Sequence, residues 1–203
     1  LKSTYLELNV AGKELKSIEV LRNFPNLMYV NLSDNDIDNL APLENLPALT
    51  QLICNNNNLA GSCLDFAAPK CTSESPSSSG HTSTGSMLVS VDARSNFYTD
   101  MEGLDQRHPF LEFLILGRNS IREISGTAGL SFLKVLDLSH NTLDSLAGLE
   151  ACTSLQELNV EGNQVGSLRV LPALTRLSSL NVAGNRIVTL APLAHCPMLQ
   201  FVN

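Results

Sequence analysis

The sequence predicts an α/β solenoid, in which copies of one short unit stack side by side along an axis. Two observations carry this prediction. A pattern of the form Leu-x-x-Leu-x-Leu-x-x-Asn-x-Leu, with other aliphatic residues allowed, recurs along the chain. Its spacing is also regular, because the asparagines of the last four copies follow one another at 22-residue intervals: Asn119, Asn141, Asn163 and Asn185. Self-similarity at such a period is the sequence signature of stacked repeats.

Six copies fit the pattern closely, and they begin at Leu27, Leu49, Leu111, Leu133, Leu155 and Leu177. Two weaker copies complete the series. One begins at Tyr5 and carries Lys13 where the others carry asparagine. The second begins at Leu88 and carries Tyr98 in an aliphatic position. The chain is therefore expected to hold about eight repeats.

The order of residue types within a copy predicts its local structure. Apolar and other residues alternate over a short stretch, which is the period of a strand with one buried face. The asparagine is expected at the turn, where its buried amide can bond the backbone of adjacent turns. Return segments such as Leu40-Ala41-Pro42-Leu43 favour a single helical or 3₁₀ turn. We therefore predict a leucine-rich-repeat horseshoe with a parallel sheet on the concave side and short helical or 3₁₀ turns on the convex side.

We expect residues 1–203 to form a single repeat domain. Leu199-x-x-Val202 begins a ninth copy where the sequence ends. We expect more chain to follow, since an uncapped stack leaves apolar core exposed. The regular spacing breaks once, and the extra residues fall around 69–86, a Ser/Thr-rich insertion that is expected to be disordered. This insertion either has no role of its own or offers a phosphorylation-controlled contact at Ser75-Pro76.

The composition limits the classes of partner. A net charge of −7 and a pI near 5.0 argue against nucleic acid and against an anionic membrane surface. No run reaches the roughly 18 apolar residues of a membrane-spanning helix, and no signal peptide opens the chain, which begins with Leu1. The five cysteines include no C-x-x-C pair, which favours a reducing compartment and a cytoplasmic protein.

No motif in the sequence predicts catalysis. Phosphate-binding loops, H-E-x-x-H and zinc spacings are absent from it, so we expect no cofactor, no metal and no small-molecule substrate. Asp137, Ser139 and His140 lie close together in the sequence. However, Asp137 and Ser139 are expected at exposed strand positions, and His140 in the adjacent turn is not placed to activate the serine. We therefore predict a protein that is not an enzyme.

The exposed side chains of the predicted sheet form the candidate binding surface. Because side chains alternate in direction along a strand, residues that flank the inward apolar positions point to the concave side. Exposed apolar residues there predict a partner site. The predicted site comprises Tyr29, Ile53, Phe113, Ile115 and Val135, with Asp92, Asp137, Glu157 and Glu161 as a negative rim. The rim favours a partially basic protein partner, and the alternative is that another part of the same chain covers these residues.

Seven stretches of the sequence carry a resemblance to known repeat proteins: Tyr5-Leu6-Glu7-Leu8-Asn9-Val10, Leu15 to Ile18, Leu21-Arg22, Leu27 to Asn35, Leu40 to Leu43, Thr99 to Gly103 and Gly117 to Ile121. The regular 22-residue unit resembles the leucine-rich repeats of intracellular type-one phosphatase regulators and of many axonemal proteins. The similarity goes further with a family of leucine-rich-repeat proteins of ciliary radial spokes, where it spans most of the chain.

The resemblance implies a non-catalytic scaffold for protein–protein interactions. It implies a structural part in the head region of the third radial spoke, in the axoneme of motile cilia or flagella. Other spoke subunits and neighbouring axonemal subunits would be the partners. The likeness to phosphatase regulators leaves an alternative open, a soluble regulatory subunit that holds a type-one phosphatase on its concave face. The serine-rich insertion departs from the family pattern, and the resemblance assigns it no role.

Overall fold

A computed structural model describes residues 6–66 and 86–203, and the predicted insertion therefore lies almost entirely outside the described residues. The described chain forms eleven short strands: β1 (Glu7–Asn9), β2 (Tyr29–Asn31), β3 (Gln51–Ile53), β4 (Ala60–Ser62), β5 (Ser90–Asp92), β6 (Phe97–Asp100), β7 (Phe113–Ile115), β8 (Val135–Asp137), β9 (Glu157–Asn159), β10 (Ser179–Asn181) and β11 (Phe201–Val202).

Nine of these strands form one parallel sheet, in the order β1-β2-β3-β5-β7-β8-β9-β10-β11. Equivalent positions of successive repeats pair directly, so that Leu114 lies opposite Leu136 and Leu136 lies opposite Leu158. The strand order follows the chain order, apart from β4 and β6. The prediction of a solenoid with a parallel sheet is therefore confirmed.

The core lies directly behind this sheet. The middle residue of each central strand is fully or almost fully buried, and its two neighbours in the strand are more exposed, as at Val135, Leu136 and Asp137. This alternation is the period-two pattern of a strand with one face in the core. Leucines from the strands, turns and return segments then form one continuous apolar cluster along the solenoid.

Short helices occupy several of the return segments on the convex side. Four are 3₁₀ helices, at Glu19–Asn23, Ala41–Asn45, Leu171–Ala173 and Ala191–His195, and one α-helical turn, α1, spans Leu104–Arg107. Three of the 3₁₀ helices carry proline in their first two positions, where its fixed φ suits the turn and the missing N–H removes no hydrogen bond. The return segments between β7 and β9 consist of turns and bends.

The repeated asparagines connect adjacent turns. Asn141 is buried, and its amide nitrogen donates to the carbonyl oxygens of Leu116 at 3.0 Å and Leu138 at 3.0 Å. Its side-chain oxygen accepts the backbone N–H of Ile121 at 2.9 Å. Asn57, Asn96 and Asn163 are buried in the same way and bond the same equivalent positions. The structural role predicted for these asparagines is confirmed.

A backbone feature that the sequence did not predict accompanies each asparagine. The residue immediately before it has a positive φ, for example 53° at Ser95, 58° at Arg118 and 52° at His140. In the last two full repeats this position is glycine, at Gly162 and Gly184. Only glycine adopts this left-handed conformation without steric cost, so the turn imposes strain wherever another residue stands there.

The repeats on either side of the insertion contain additional structure. β4 and β6 pair in parallel and form a separate two-stranded sheet. In the same region, His108 is buried against Phe66, with ring centroids 4.9 Å apart. The Nε2 of His108 lies 3.2 Å from the Leu64 carbonyl oxygen. Burial lowers the pKa of His108 from 6.5 to about 4. These contacts fix the chain up to Phe66, just before the insertion.

Two further features concern the described part of the chain as a whole. None of its helices is long and apolar enough to cross a membrane. At the C-terminal end of the stack, Val188, Leu190, Phe201 and Val202 are exposed, because no further repeat among the described residues packs on them. The described sheet thus presents one continuous concave face, with apolar side chains exposed at its C-terminal end.

Candidate functional site

The parallel register arranges the concave side chains in two rows that run across the strands. The row at the start of the strands is Glu7, Tyr29, Gln51, Ser90, Phe113, Val135, Glu157 and Ser179. The row at their ends is Asn9, Asn31, Ile53, Asp92, Ile115, Asp137, Asn159 and Asn181. Neighbours within a row are about 5 Å apart, the spacing of adjacent strands.

Three of the predicted apolar residues lie together near the middle of the sheet. Phe113 and Val135 are direct neighbours in the first row, and Ile115 follows Phe113 on the same face of β7. Phe113 is 39% exposed, and Ile115 and Val135 are partly exposed. We call these three residues the concave apolar cluster. They can bind an apolar side chain of a partner without any change in the fold.

The structure does not bring the other two predicted apolar residues into this cluster. Gln51 and Ser90 stand between Tyr29 and Phe113 in the first row. Asp92 stands between Ile53 and Ile115 in the second row. Tyr29 and Ile53 are therefore separate positions toward the N-terminal end of the same face.

Carboxylates surround the concave apolar cluster. Asp92 and Asp137 flank Ile115 in the second row, and Glu157 follows Val135 in the first. Glu161 lies beyond the end of β9, where it accepts a hydrogen bond from the side-chain amide of Asn181 at 2.9 Å.

These carboxylates are not equally available to a partner. Arg94 binds Asp92 through two nitrogens, at 2.6 and 3.0 Å, and this bonding to Asp92 raises the pKa of Arg94. Among the described residues, Asp137 and Glu157 form no ion pair. The carboxylates without an ion pair therefore lie on the C-terminal side of the cluster, where a cation of a partner would be attracted. The charge of Asp137 also contributes to the raised pKa of Arg94.

A shallow depression lies between the cluster and these carboxylates. Its volume is about 240 Å³, and Ile115, Val135, Asp137 and Glu157 are among the residues that line it. Both polar side chains, such as those of Asn159 and Asn181, and aliphatic side chains form its walls. Such a surface accommodates one side chain of a protein partner better than it encloses a small molecule, since ligand pockets are deeper and bury most of their ligand.

A row of exposed apolar residues escaped the sequence analysis. Met87, Phe110 and Phe132 each stand three residues before the start of a strand, and they are 46%, 42% and 50% exposed. The rings of Phe110 and Phe132 are 6.2 Å apart. The repeat pattern does not assign a direction to this position, because it precedes the alternating part of each copy. Only its recurrence as a large apolar residue in three successive repeats could have drawn attention to it.

The expectation that Ser139 occupies an exposed strand position is wrong. β8 ends at Asp137, and Ser139 is only 8% exposed. Its backbone N–H donates to the Asp137 carboxylate at 2.8 Å, which closes a turn. Asn31 and Ser33 form the equivalent contact four repeats earlier, so this geometry belongs to the repeat.

The four cysteines that the structure describes lie in the apolar core. Cys54, Cys63, Cys152 and Cys196 are buried free thiols, and burial raises the pKa of Cys152 to about 11. A thiol with a raised pKa is a poor nucleophile. Within residues 6–66 and 86–203, no group of three His, Cys, Asp or Glu side chains is placed to hold a metal ion.

The repeat geometry agrees with known sequence families. A leucine rich repeat model matches residues 109–165, and a second leucine-rich-repeat model matches residues 25–40. Two stretches of the chain thus match leucine-rich-repeat models, and its stacked parallel strands and asparagine-bonded turns form a leucine-rich-repeat fold. Repeat solenoids of this kind present extended concave surfaces that bind other proteins.

The chain is similar to one named protein in particular, leucine-rich repeat-containing protein 23. The human protein is 31% identical over 126 residues, and the protein from Bos taurus is 29% identical over 126 residues. The matched stretch is 62% of this chain but 31% of either relative. The resemblance to this protein that the seven stretches of sequence predict is thereby confirmed.

The fold is also similar to solved structures. Internalin C2 of Listeria monocytogenes superposes with a TM-score of 0.79 at 26% identity, over 98% of this chain and 80% of that one. This agreement confirms the predicted fold class.

Proposed function

We propose that this protein is a structural component of the axonemal radial spoke in motile cilia or flagella, in the head region of the third spoke. The single observation that carries the proposal is the similarity to leucine-rich repeat-containing protein 23 over 126 residues. That similarity covers 62% of this chain, more than the repeat models alone match. In this role the chain is a scaffold that holds other spoke or axonemal subunits and carries out no reaction.

The partner would bind the concave face. Phe113, Ile115 and Val135 supply an exposed apolar centre, and Asp137 and Glu157 supply negative charge without an ion-paired cation beside it. Apolar anchors at the centre and charges at the rim are the usual arrangement of a protein interface. Asp92 and Glu161 are less available, because Arg94 and Asn181 already bind them. Tyr29 and Ile53 would contact the same partner only if it extends toward the N-terminal repeats.

The experiment is fractionation of axonemes from the ciliated or flagellated cell that makes the protein. The full-length protein carries an epitope tag at its own locus, and axonemes are extracted first with detergent and then with high salt. A spoke component is expected to stay in the detergent-extracted axoneme, in a fixed ratio to other spoke proteins. It is also expected to disappear from the axonemes of cells that lack the third spoke.

The alternative, a soluble regulatory subunit of a type-one protein phosphatase, gives a different result. The tagged protein would then leave with detergent and elute as a one-to-one complex with the catalytic subunit. Phosphatase activity would change when it is removed. That outcome contradicts the spoke proposal, and so does retention that is unaffected by loss of the spoke.

A further inference from the structure

The row formed by Met87, Phe110 and Phe132, here called the apolar ridge, lies along the upstream edge of the sheet. Its members are the equivalent residues of three adjacent repeats, because the strands that follow them pair at Ser90, Phe113 and Val135. The ridge therefore crosses three successive repeats just before β5, β7 and β8. Each member is at least 42% exposed. Three large apolar residues exposed in one line are uncommon on a surface that no partner covers.

The ridge precedes the concave apolar cluster along the same two repeats, and one charged pair separates them. Phe113 follows Phe110 by three residues, and Val135 follows Phe132 by three residues, so two apolar rows lie side by side over two strands. Between the rows, Lys134 binds Glu112 at 2.6 Å, and these two charges neutralise each other. Beyond the second row lie Asp137 and Glu157, which have no such cation. The surface thus changes from apolar at the edge to negative inside the concave face.

We propose that this surface docks an amphipathic α-helix of another protein, laid across β5, β7 and β8. The apolar stripe of the helix would pack on the ridge and on Phe113 and Val135. One flank of the helix would carry lysine or arginine toward Asp137 and Glu157. The proposal concerns a surface of the purified chain and holds whether or not the chain is a spoke component.

The spacing of the ridge fits a helix. Neighbouring strands are about 4.8 Å apart, and the Phe110 and Phe132 rings are 6.2 Å apart. An α-helix rises about 5.4 Å per turn, so each turn meets the next repeat along the ridge. Residues at positions i, i+3 or i+4, and i+7 then face Met87, Phe110 and Phe132 in succession.

The charges argue against a second copy of this chain as the occupant. A symmetric pair formed through this surface would bring Asp137 and Glu157 of both copies into one interface. The chain as a whole also carries a net charge of −7. Like charges without cations between them oppose such a contact.

The insertion is an equally poor match. Residues 67–85, which include nearly all of the insertion, contain no Leu, Ile, Val, Met, Phe, Tyr or Trp that could pack on the ridge. A helix from another protein, with large apolar residues and a basic flank, fits the surface better than either alternative.

The test uses the 203-residue chain and a fluorescently labelled, hydrocarbon-stapled helical peptide. The peptide carries leucine at the i, i+4 and i+7 positions and lysine along one flank. Two comparison peptides replace the lysines by glutamates or shuffle the leucines around the helix. Fluorescence anisotropy measures the dissociation constants. We expect the lysine peptide to bind at least about tenfold more tightly than the glutamate or the shuffled peptide.

Variants of the chain locate the binding surface. Phe110→Ser combined with Phe132→Ser is expected to weaken binding of the lysine peptide at least about tenfold. Phe97→Ser is the matched control, because Phe97 is 58% exposed but lies on β6, outside the nine-stranded sheet. It is expected to leave the dissociation constant unchanged. Asp137→Asn with Glu157→Gln is expected to weaken the lysine peptide alone. Thermal unfolding of each variant verifies that the fold is intact.

Three outcomes would overturn the proposal. The first is no binding of the lysine peptide, and the second is equal binding of the lysine and glutamate peptides. The third is binding that Phe110→Ser with Phe132→Ser leaves unchanged. Sedimentation of the wild-type chain alone is a further arm, because self-association that this double variant abolishes would make a second copy the occupant. None of these results depends on axoneme retention, so the spoke proposal can fail or succeed separately.

Discussion

Asn141 illustrates how one side chain joins three segments of this fold. It bonds the turn of its own repeat through the Leu138 carbonyl, and the preceding repeat through the Leu116 carbonyl and the Ile121 N–H. An amide suits this position because it has two donors and one acceptor within the same planar group. The role was predictable from sequence, since a polar residue that recurs at a fixed place in an apolar pattern must be satisfied when buried.

Asn141→Ala is expected to lower the free energy of unfolding by about 2–3 kcal/mol. It leaves the Ile121 N–H without a partner in a buried turn. The carbonyl oxygens of Leu116 and Leu138 also each lose one of their two side-chain donors and keep only the bonds from Asn119 and Asn163. Chemical denaturation measures the loss. Asn58→Ala is the control, because Asn58 is exposed and its amide bonds only Asp36. A loss within about 0.5 kcal/mol of the control would contradict the bridging role.

The left-handed residues before the asparagines were not predictable. Ser95, Arg118 and His140 share no side-chain property, although all three have φ between 52° and 58°. The turn imposes this conformation through its backbone hydrogen bonds, and a sequence pattern records side chains rather than backbone angles. Residue type indicated it only where glycine, aspartate or asparagine stands, as at Gly162, Gly184, Asp34 and Asn56.

At the scale of elements, the strands of the large sheet are two or three residues long, and in those from β2 to β10 a single middle residue is buried in the core. Leu136 is fully buried, whereas Val135 beside it is partly exposed on the concave face. The period-two pattern predicted both directions correctly. Substitutions on the two faces of a strand can therefore separate effects on folding from effects on binding.

Leu136→Ala is expected to destabilise the fold by about 2–5 kcal/mol, because the truncated side chain leaves a cavity between stacked repeats. Val135→Ala provides the matched change on the other face of the same strand, and its cost should be below about 1 kcal/mol. Thermal or urea unfolding compares the two. Equal costs would mean that β8 is not oriented as described.

The β4–β6 pair and α1 are elements that sequence reasoning missed. Ala60-Gly61-Ser62 has little intrinsic preference for a strand, and it pairs with β6 because the two neighbouring return segments run side by side. The insertion also interrupts the spacing at this place, so no period marked the element. Tertiary context determines the structure there.

His108, at the end of α1, makes this region sensitive to pH. Its Nε2 bonds the Leu64 carbonyl and its Nδ1 has no hydrogen-bond partner, so a proton on Nδ1 would be buried unsatisfied. The pKa is about 4 in the folded chain against 6.5 when unfolded. Between these values the unfolded chain binds a proton that the folded chain does not, and the free energy of unfolding falls as pH falls.

We expect His108 to contribute a loss of about 2 kcal/mol between pH 7 and pH 5. Urea unfolding at the two pH values measures it. His108→Gln should remove this part of the pH dependence, whereas His140→Gln, at an exposed histidine, should retain it. If His108→Gln leaves the pH dependence unchanged, burial of His108 is not its source.

At the scale of the whole molecule, the repeat period was sufficient to predict the solenoid, its parallel sheet and the concave position of the candidate residues. It was not sufficient to predict which of them meet. Phe113, Ile115 and Val135 converge because β7 and β8 are adjacent, and Asp92 separates Ile53 because β3 pairs directly with β5 across the insertion. The apolar ridge was recognised only in the structure, because its residues lie outside the alternating pattern of each repeat.

The most direct test of the central claim, that the concave apolar cluster holds a protein partner, is rebinding to axonemes. Purified protein is added to axonemes from cells that lack it, and the retained fraction is measured. Phe113→Glu with Ile115→Glu is expected to keep the thermal unfolding profile of the wild type, because both side chains lie on the exposed face. It should lose retention, since two charges replace the apolar contact. Retention equal to that of the wild type would contradict the claim, and unfolding of the variant would contradict the assignment of the faces.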